Sequence, residues 1–197
     1  ILLYHFGGIY IDMDILCLKS LDSLIDFDSD NAYIAMEPME QTKKLYNNEN
    51  VLCNAFIAGP AKHAFFKAAL DEIKEIYKRL GDQIFKVFNV FGGELLLKAL
   101  TSNDDIYNSC KFINRKLIYP INDPKFTDLP SSAEDARMLR EGSYNNAYMI
   151  HYWIHSNFES RDTLEKFKYD DAKSIHKNMF EFFLFNCMYC KRNGNAN

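Results

Sequence analysis

Tyr4-His5-Phe6-Gly7-Gly8-Ile9-Tyr10-Ile11-Asp12-Met13-Asp14-Ile15 is the stretch around which the rest of the chain is read. Leucines and aromatics run into a double glycine, and an apolar segment then presents two carboxylates one residue apart. Glycine ends a helix at low cost because it accepts positive φ, and a pair of glycines lets the backbone approach a neighbour or a ligand. Ile1 to Phe6 therefore reads as the end of a helix. Ile9 to Ile15 reads as a strand, since β-branched and aromatic residues favour extended backbone. Side chains at i and i+2 leave a strand on the same side, so Asp12 and Asp14 are expected to point one way. Carboxylates so placed at the polar end of a buried strand repel each other and lose hydration, and a hard divalent cation between them relieves both costs. The D-x-D spacing suits a hexacoordinate metal that completes its shell with diphosphate oxygens and water. A solvated turn is the plainer alternative, but it has no need of the Gly-Gly lead or the apolar frame.

The run from Leu2 to Leu18, with its GGIYIDMDI core, resembles the DXD sugar-binding region of glycosyltransferase family 32. More distantly it is similar to the clostridial glucosylating toxins. Three later segments resemble the same family in the same order: Asn54-Ala55-Phe56-Ile57-Ala58 its donor-side N-x-F/I strand, Phe91-Gly92-Gly93-Glu94-Leu95-Leu96 its G-P-x-L-L helix start, and Met149-Ile150-His151-Tyr152-Trp153 its late H-x-W. The resemblance implies an α/β chain of the GT-A type, a Rossmann-like nucleotide-diphospho-sugar transferase fold with a mixed central sheet and flanking helices. It also implies a metal-dependent hexosyltransferase. The donor would be a UDP-sugar ahead of GDP-mannose, the acceptor a hydroxyl of a glycan, glycolipid or protein, the metal Mn2+ or Mg2+, and the anomeric configuration retained.

Carried over residue by residue, the resemblance makes Asp14 a metal ligand. Asp12 shares the metal and hydrogen-bonds the ribose or donor sugar, and His151 is the third protein ligand. Asp12, Asp14 and Glu94 are the candidate catalytic residues. Tyr4, Gly8, Tyr10, Asn54, Glu94, Trp153 and Ser156 are placed against the donor. Each of these has a plainer reading beside it. A lone histidine in an apolar strand can be a core residue, Trp153 can fill the core, and Asn54 can serve a turn. Glu94 can cap a helix that starts with Gly93 where the family has proline. Ser156 is followed by Asn157 where the family often continues to Trp.

At 197 residues the chain has the length of one domain, and its 48% hydrophobic content is enough to fill a core. The whole of 1–197 is read as a single glycosyltransferase domain with a C-terminal helical segment at about 162–190. The net charge of -4, with both signs interspersed, lacks the basic footprint that a nucleic-acid partner requires. Cys17, Cys53, Cys110, Cys187 and Cys190 are odd in number and without disulfide spacing, so reduced thiols are expected, and Cys187-x-x-Cys190 lacks a second pair for zinc. Ile1 opens without an initiator Met and already inside a helix, whereas the resembled family has an earlier βαβ portion, so a fragment lacking part of the nucleotide half is expected. A cytoplasmic or cytoplasmic-face location is the expectation, with a Golgi-type lumen left open by that missing portion.

Between the motifs, Leu18 to Ile25 reads as a connection with a helical turn and Ala32 to Glu37 as a strand closed by Pro38. Glu40 to Asn50 reads as a polar loop and Cys53 to Ala58 as a strand. Lys62 to Leu80 keeps helical spacing up to Gly81. Ile84 to Phe91 is ambiguous, and Glu94 to Leu100 is a short helix. Lys116 to Tyr119 reads as a strand, Ile121 to Asn146 as irregular with one helix, and Ala147 to Trp153 as a strand. Met179 to Tyr189 is aromatic-rich and too short to span a membrane; it docks on the core or meets a membrane or partner. Two rival functions stay open. A glycoside hydrolase would use the same carboxylates, expected roughly 6 to 7 Å apart on a strand, without metal. A non-catalytic carbohydrate-binding fragment would need neither metal nor donor.

Overall fold

The computed structural model describes residues 1–47, 50–81, 92–121, 145–151 and 153. In chain order the elements are α1 (Leu2–Phe6), β1 (Gly8–Ile11), β2 (Ile15–Cys17), β3 (Ala32–Met36), α2 (Met39–Tyr46), β4 (Leu52–Gly59), α3 (Ala64–Leu80), α4 (Gly93–Leu100), α5 (Asp104–Asn108), β5 (Cys110–Ile113), α6 (Arg115–Ile118) and β6 (Met149–His151). Four strands form a mixed sheet in the order β1-β4-β3-β5, with β4 antiparallel to both neighbours and β5 parallel to β3. β2 and β6 pair antiparallel as a separate ribbon. The mixed α/β architecture with flanking helices is the one expected from the sequence.

The centre of the four-stranded sheet is covered on both faces because successive side chains of β3 serve opposite cores, whereas edge strand β1 is exposed along its length. Tyr33 and Ala35 of β3 join Phe56, Ile113, Tyr119, Met149 and Trp153 on one face. Ala32 and Ile34 join Phe65, Phe66, Leu95, Leu96 and Leu100 of α3 and α4 on the other. This is why β3 is buried almost throughout rather than alternately, as in a sheet with no solvated face. The ribbon lies over the first face through Ile15 and Met149.

Two close approaches fix the layout. At Gly7, with φ 68°, a side chain would meet the Ala61 amide nitrogen at 2.6 Å, so glycine is needed both for the turn out of α1 and for its contact with the loop after β4. A Cβ at Gly93 would stand 2.3 Å from the Leu52 carbonyl oxygen, so the start of α4 rests directly on the start of β4.

Four sequence expectations are corrected. The strand proposed over Ile9 to Ile15 is two strands: β1 stops at Ile11, and Met13 and Asp14 form a turn closed by Ile15 N–H donating to the Asp12 carbonyl at 3.2 Å. Aspartate is a poor strand former, and an unbroken strand could not leave Met13 98% exposed while carrying Ile15 into a second sheet. The loop proposed over Glu40 to Asn50 is largely helix, α2, because Gln41, Lys43 and Lys44 favour helix and the asparagine content sits only at its end, where Asn47 takes the left-handed cap at φ 49°. The strand proposed over Lys116 to Tyr119 is the helical turn α6, started by Asn114, whose side-chain oxygen accepts from Lys116 N–H at 3.0 Å. The strand in that region is β5, one turn of chain earlier. Lastly, β6 ends at His151, and Trp153 lies beyond it at φ 52°.

The helix over Lys62 to Leu80 is present as α3, and Leu21 to Ile25 makes the helical turn expected there. The expectations for Ile84 to Phe91, for most of Ile121 to Asn146, and for the segment 162–190 with Met179 to Tyr189 and Cys187-x-x-Cys190 lie outside the described residues.

Candidate functional site

Asp12, Asp14 and His151 converge. One ligand atom from each lies within 4.8 Å of the others. His151 Nε2 donates to Asp14 Oδ1 at 3.0 Å and stands 4.0 Å from Asp12 Oδ2. Each residue is delivered by a different device. Asp12 hangs from the end of β1, its N–H donating to the Ala55 carbonyl at 3.0 Å, one step beyond the ladder. Asp14 closes the turn. His151 is the last residue of β6 and sits directly opposite Ile15 in the antiparallel register, so the neighbouring Asp14 falls beside its ring.

His151 is 2% exposed. Its ring lies 4.0 Å from that of Trp153 and 5.9 Å from that of Tyr119, centroid to centroid. Trp153 donates its indole N–H to the Ile121 carbonyl at 2.9 Å. A non-glycine residue at φ 52° costs about 1–3 kcal/mol, a strain that places the indole where it wedges the imidazole. Trp153 is thus both core filler and ring partner. The histidine Nδ1 is buried and has no hydrogen-bond partner among the described residues.

Electrostatics around the acids are uneven. Tyr10 donates its hydroxyl to Asp12 Oδ1 at 2.8 Å. That bond, partial burial and the negative charges of Asp12 and Asp14 push its phenol up to about 12. Behind the site, burial first, then Cys53 and the charges of Asp12 and Glu37, push Tyr119 well above the usual tyrosine range. Burial and the Glu37 charge push the Cys53 thiol up to about 12. Cys17, Cys53 and Cys110 are free thiols.

β4 carries an irregularity beside Asp12. Ile34 faces Ile57 while Met36 faces Leu52, so two steps along β3 match five along β4. The surplus includes Asn54 and Ala55, and Asn54 is exposed next to the carbonyl that receives Asp12. Such a bulge re-aims side chains at sheet ends and near active sites. Glu94 is exposed in the first turn of α4. Its helix start rests on Leu52, three residues from Ala55, or about 10 Å along a strand.

Residues 1–30 match the family model described as glycosyltransferase sugar-binding region containing DXD motif. The match takes in the Gly-Gly turn, both acids and β2, and it supports glycosyltransferase family membership from 30 of the 197 residues. No curated protein and no solved structure matches the chain.

The other sequence candidates fall in different places around this D-x-D region. Gly8 pairs with Gly59, four residues or about 13 Å along the strand from Asp12. Tyr4, on α1 at that same far end, lies under the Lys62 ammonium at 4.5 Å, and its carbonyl accepts from Lys62 N–H at 2.7 Å. Ser156 lies outside the described residues. Sequence reasoning missed Tyr119 as part of the wall behind His151, and no motif marks it. It also missed the Tyr10 to Asp12 bond, although the i, i+2 spacing that paired the aspartates applied equally to Tyr10. Among the described residues no helix is long and apolar enough to cross a membrane.

Proposed function

We propose that this chain, as a single GT-A glycosyltransferase domain, holds the divalent cation of a transferase acting on a nucleotide-diphosphate sugar. The observation that carries the reading is the meeting of Asp12 and Asp14 with His151 from 137 residues away, at 3.0 Å between His151 and Asp14. Two carboxylates and one imidazole form a hard set with one borderline member, which suits Mn2+ ahead of Mg2+. When bound, the cation supplies a Lewis acid that offsets charge developing on the departing diphosphate.

The chain's own residues do the holding and orienting. His151 is locked by Trp153 and Tyr119, so its Nε2 meets the acids without a search over rotamers. Asp14, mostly buried, presents Oδ1 to that nitrogen, and Asp12, nearer solvent, turns Oδ2 toward the same nitrogen and is assigned to share the cation and meet the donor. Asn54 on the bulge offers both a donor and an acceptor to sugar hydroxyls. Glu94 is assigned to donor hydroxyls farther out. The family resemblance sets UDP ahead of GDP and brings retention by a front-face displacement. A glycan, glycolipid or protein hydroxyl is the acceptor.

Thermal melting with UDP, with and without Mn2+, tests this. A ligand at about a hundred times its Kd adds about 2.7 kcal/mol to the folded state. The expected result is a clear rise in melting temperature with UDP and Mn2+ together and little with UDP and a chelator. Sugar-hydrolysing activity indifferent to chelation, with no UDP shift, favours the glycoside hydrolase instead.

A further inference from the structure

We infer that Tyr10 is a positioning residue that makes Asp12 a one-oxygen ligand and thereby sets which cation the site prefers. The inference rests on the metal-holding reading above and adds a residue that acts through Asp12. Tyr10 is on β1 and Asp12 is the residue just past its end, and the Tyr10 hydroxyl donates to Asp12 Oδ1 at 2.8 Å. The other oxygen, Oδ2, is the one turned toward His151, at 4.0 Å. Tyr10 is 48% exposed, so packing alone does not fix its pose, whereas a hydrogen bond to a charged acceptor is among the stronger ones available.

The consequence is a matter of coordination number. A carboxylate whose one oxygen accepts from a fixed hydroxyl has that oxygen's electron density and orientation partly committed, which favours ligation through the other. Small octahedral cations such as Mg2+ and Mn2+ accept that arrangement. Ca2+, which takes six to eight oxygens and readily uses both oxygens of one carboxylate, is disfavoured by it. Partners of this kind, one bond removed from the metal, typically contribute about 10–100-fold to affinity. Losing the hydroxyl frees Asp12 to rotate and to ligate through both oxygens.

Calorimetric titration of the full 197-residue chain with Mn2+ and with Ca2+, as wild type and as Tyr10→Phe, tests the inference. Phenylalanine keeps the ring, so folding is checked only by an unchanged melting curve. The expected result is Mn2+ binding weakened about ten-fold with Ca2+ binding changed less, so that the preference for Mn2+ over Ca2+ falls. Unchanged Mn2+ affinity, or equal weakening of both cations, overturns the inference and leaves the metal site standing. A wild-type chain that binds neither cation overturns the metal reading itself, and this inference with it.

Discussion

The four-stranded sheet and the β2–β6 ribbon contribute unequally to the fold and to the site. The sheet's central strands β3 and β4 are buried on both faces, with helices α3 and α4 on one and the ribbon on the other, while its edge strand β1 is exposed. Among the described residues the ribbon has three residue pairs, Ile15 with His151, Leu16 with Ile150 and Cys17 with Met149. Yet the ribbon sets two of the three residues proposed to hold the cation, His151 at its end and Asp14 at its threshold, while the sheet supplies Asp12 alone. The D-x-D turn is the hinge where the chain leaves one for the other. Stability is therefore concentrated in the larger unit and geometric precision in the smaller one.

Paired core truncations break this comparison most forcefully. Phe65→Ala, in the core between sheet and helices, is expected to cost about 3–5 kcal/mol in denaturant unfolding and to leave the Mn2+ affinity of the folded chain nearly unchanged. Ile150→Ala, in the ribbon, is expected to cost about 2–5 kcal/mol and in addition to weaken Mn2+ binding by about ten-fold, because its neighbour His151 loses its seat. Equal effects of the two on metal affinity would erase the division of labour.

A smaller effect sharpens the sheet side. His63, the cap of α3, accepts from Phe65 N–H at 3.2 Å through Nδ1. Burial holds it below the usual histidine range, against the opposing pull of the Ser109 and Asp30 carbonyls and the Asp30 charge. The unfolded chain therefore takes up this proton first as pH falls. The contribution is fully present above about pH 6.5 and is lost below it, toward the lower folded value. Unfolding free energy measured on both sides of that pH should fall on acidification, and His63→Asn, which keeps a capping acceptor without the titration, should flatten the slope. An identical slope in the variant places the acid sensitivity elsewhere.

The sequence made some of this layout legible and hid the rest for identifiable reasons. Gly7 and Gly8 announced a turn that positive φ and a close backbone approach do require. The apolar period from Phe65 to Leu80 announced α3. The acids and the late histidine could be paired because their residue types and order match a chemistry, even though the strand geometry assumed for Asp12 and Asp14 does not hold. What stayed hidden depends on distant partners. The break at Asp12 follows from β4 ending its support at Ala55 and from His151 capturing Ile15, contacts that no local pattern encodes. β5 and α6 are short apolar runs whose type is settled by β3 alongside and by the Asn114 cap, so local preference could not separate them. The bulge at Asn54 is a mismatch of register between two strands and has no sequence signature of its own.

The most direct measurement is anomalous diffraction from crystals of the chain soaked in Mn2+. The account predicts a single strong peak about 2.0–2.3 Å from a carboxylate oxygen of Asp12, a carboxylate oxygen of Asp14 and Nε2 of His151, with the His151 to Asp14 hydrogen bond replaced. A peak elsewhere, or none with that hydrogen bond intact, contradicts it.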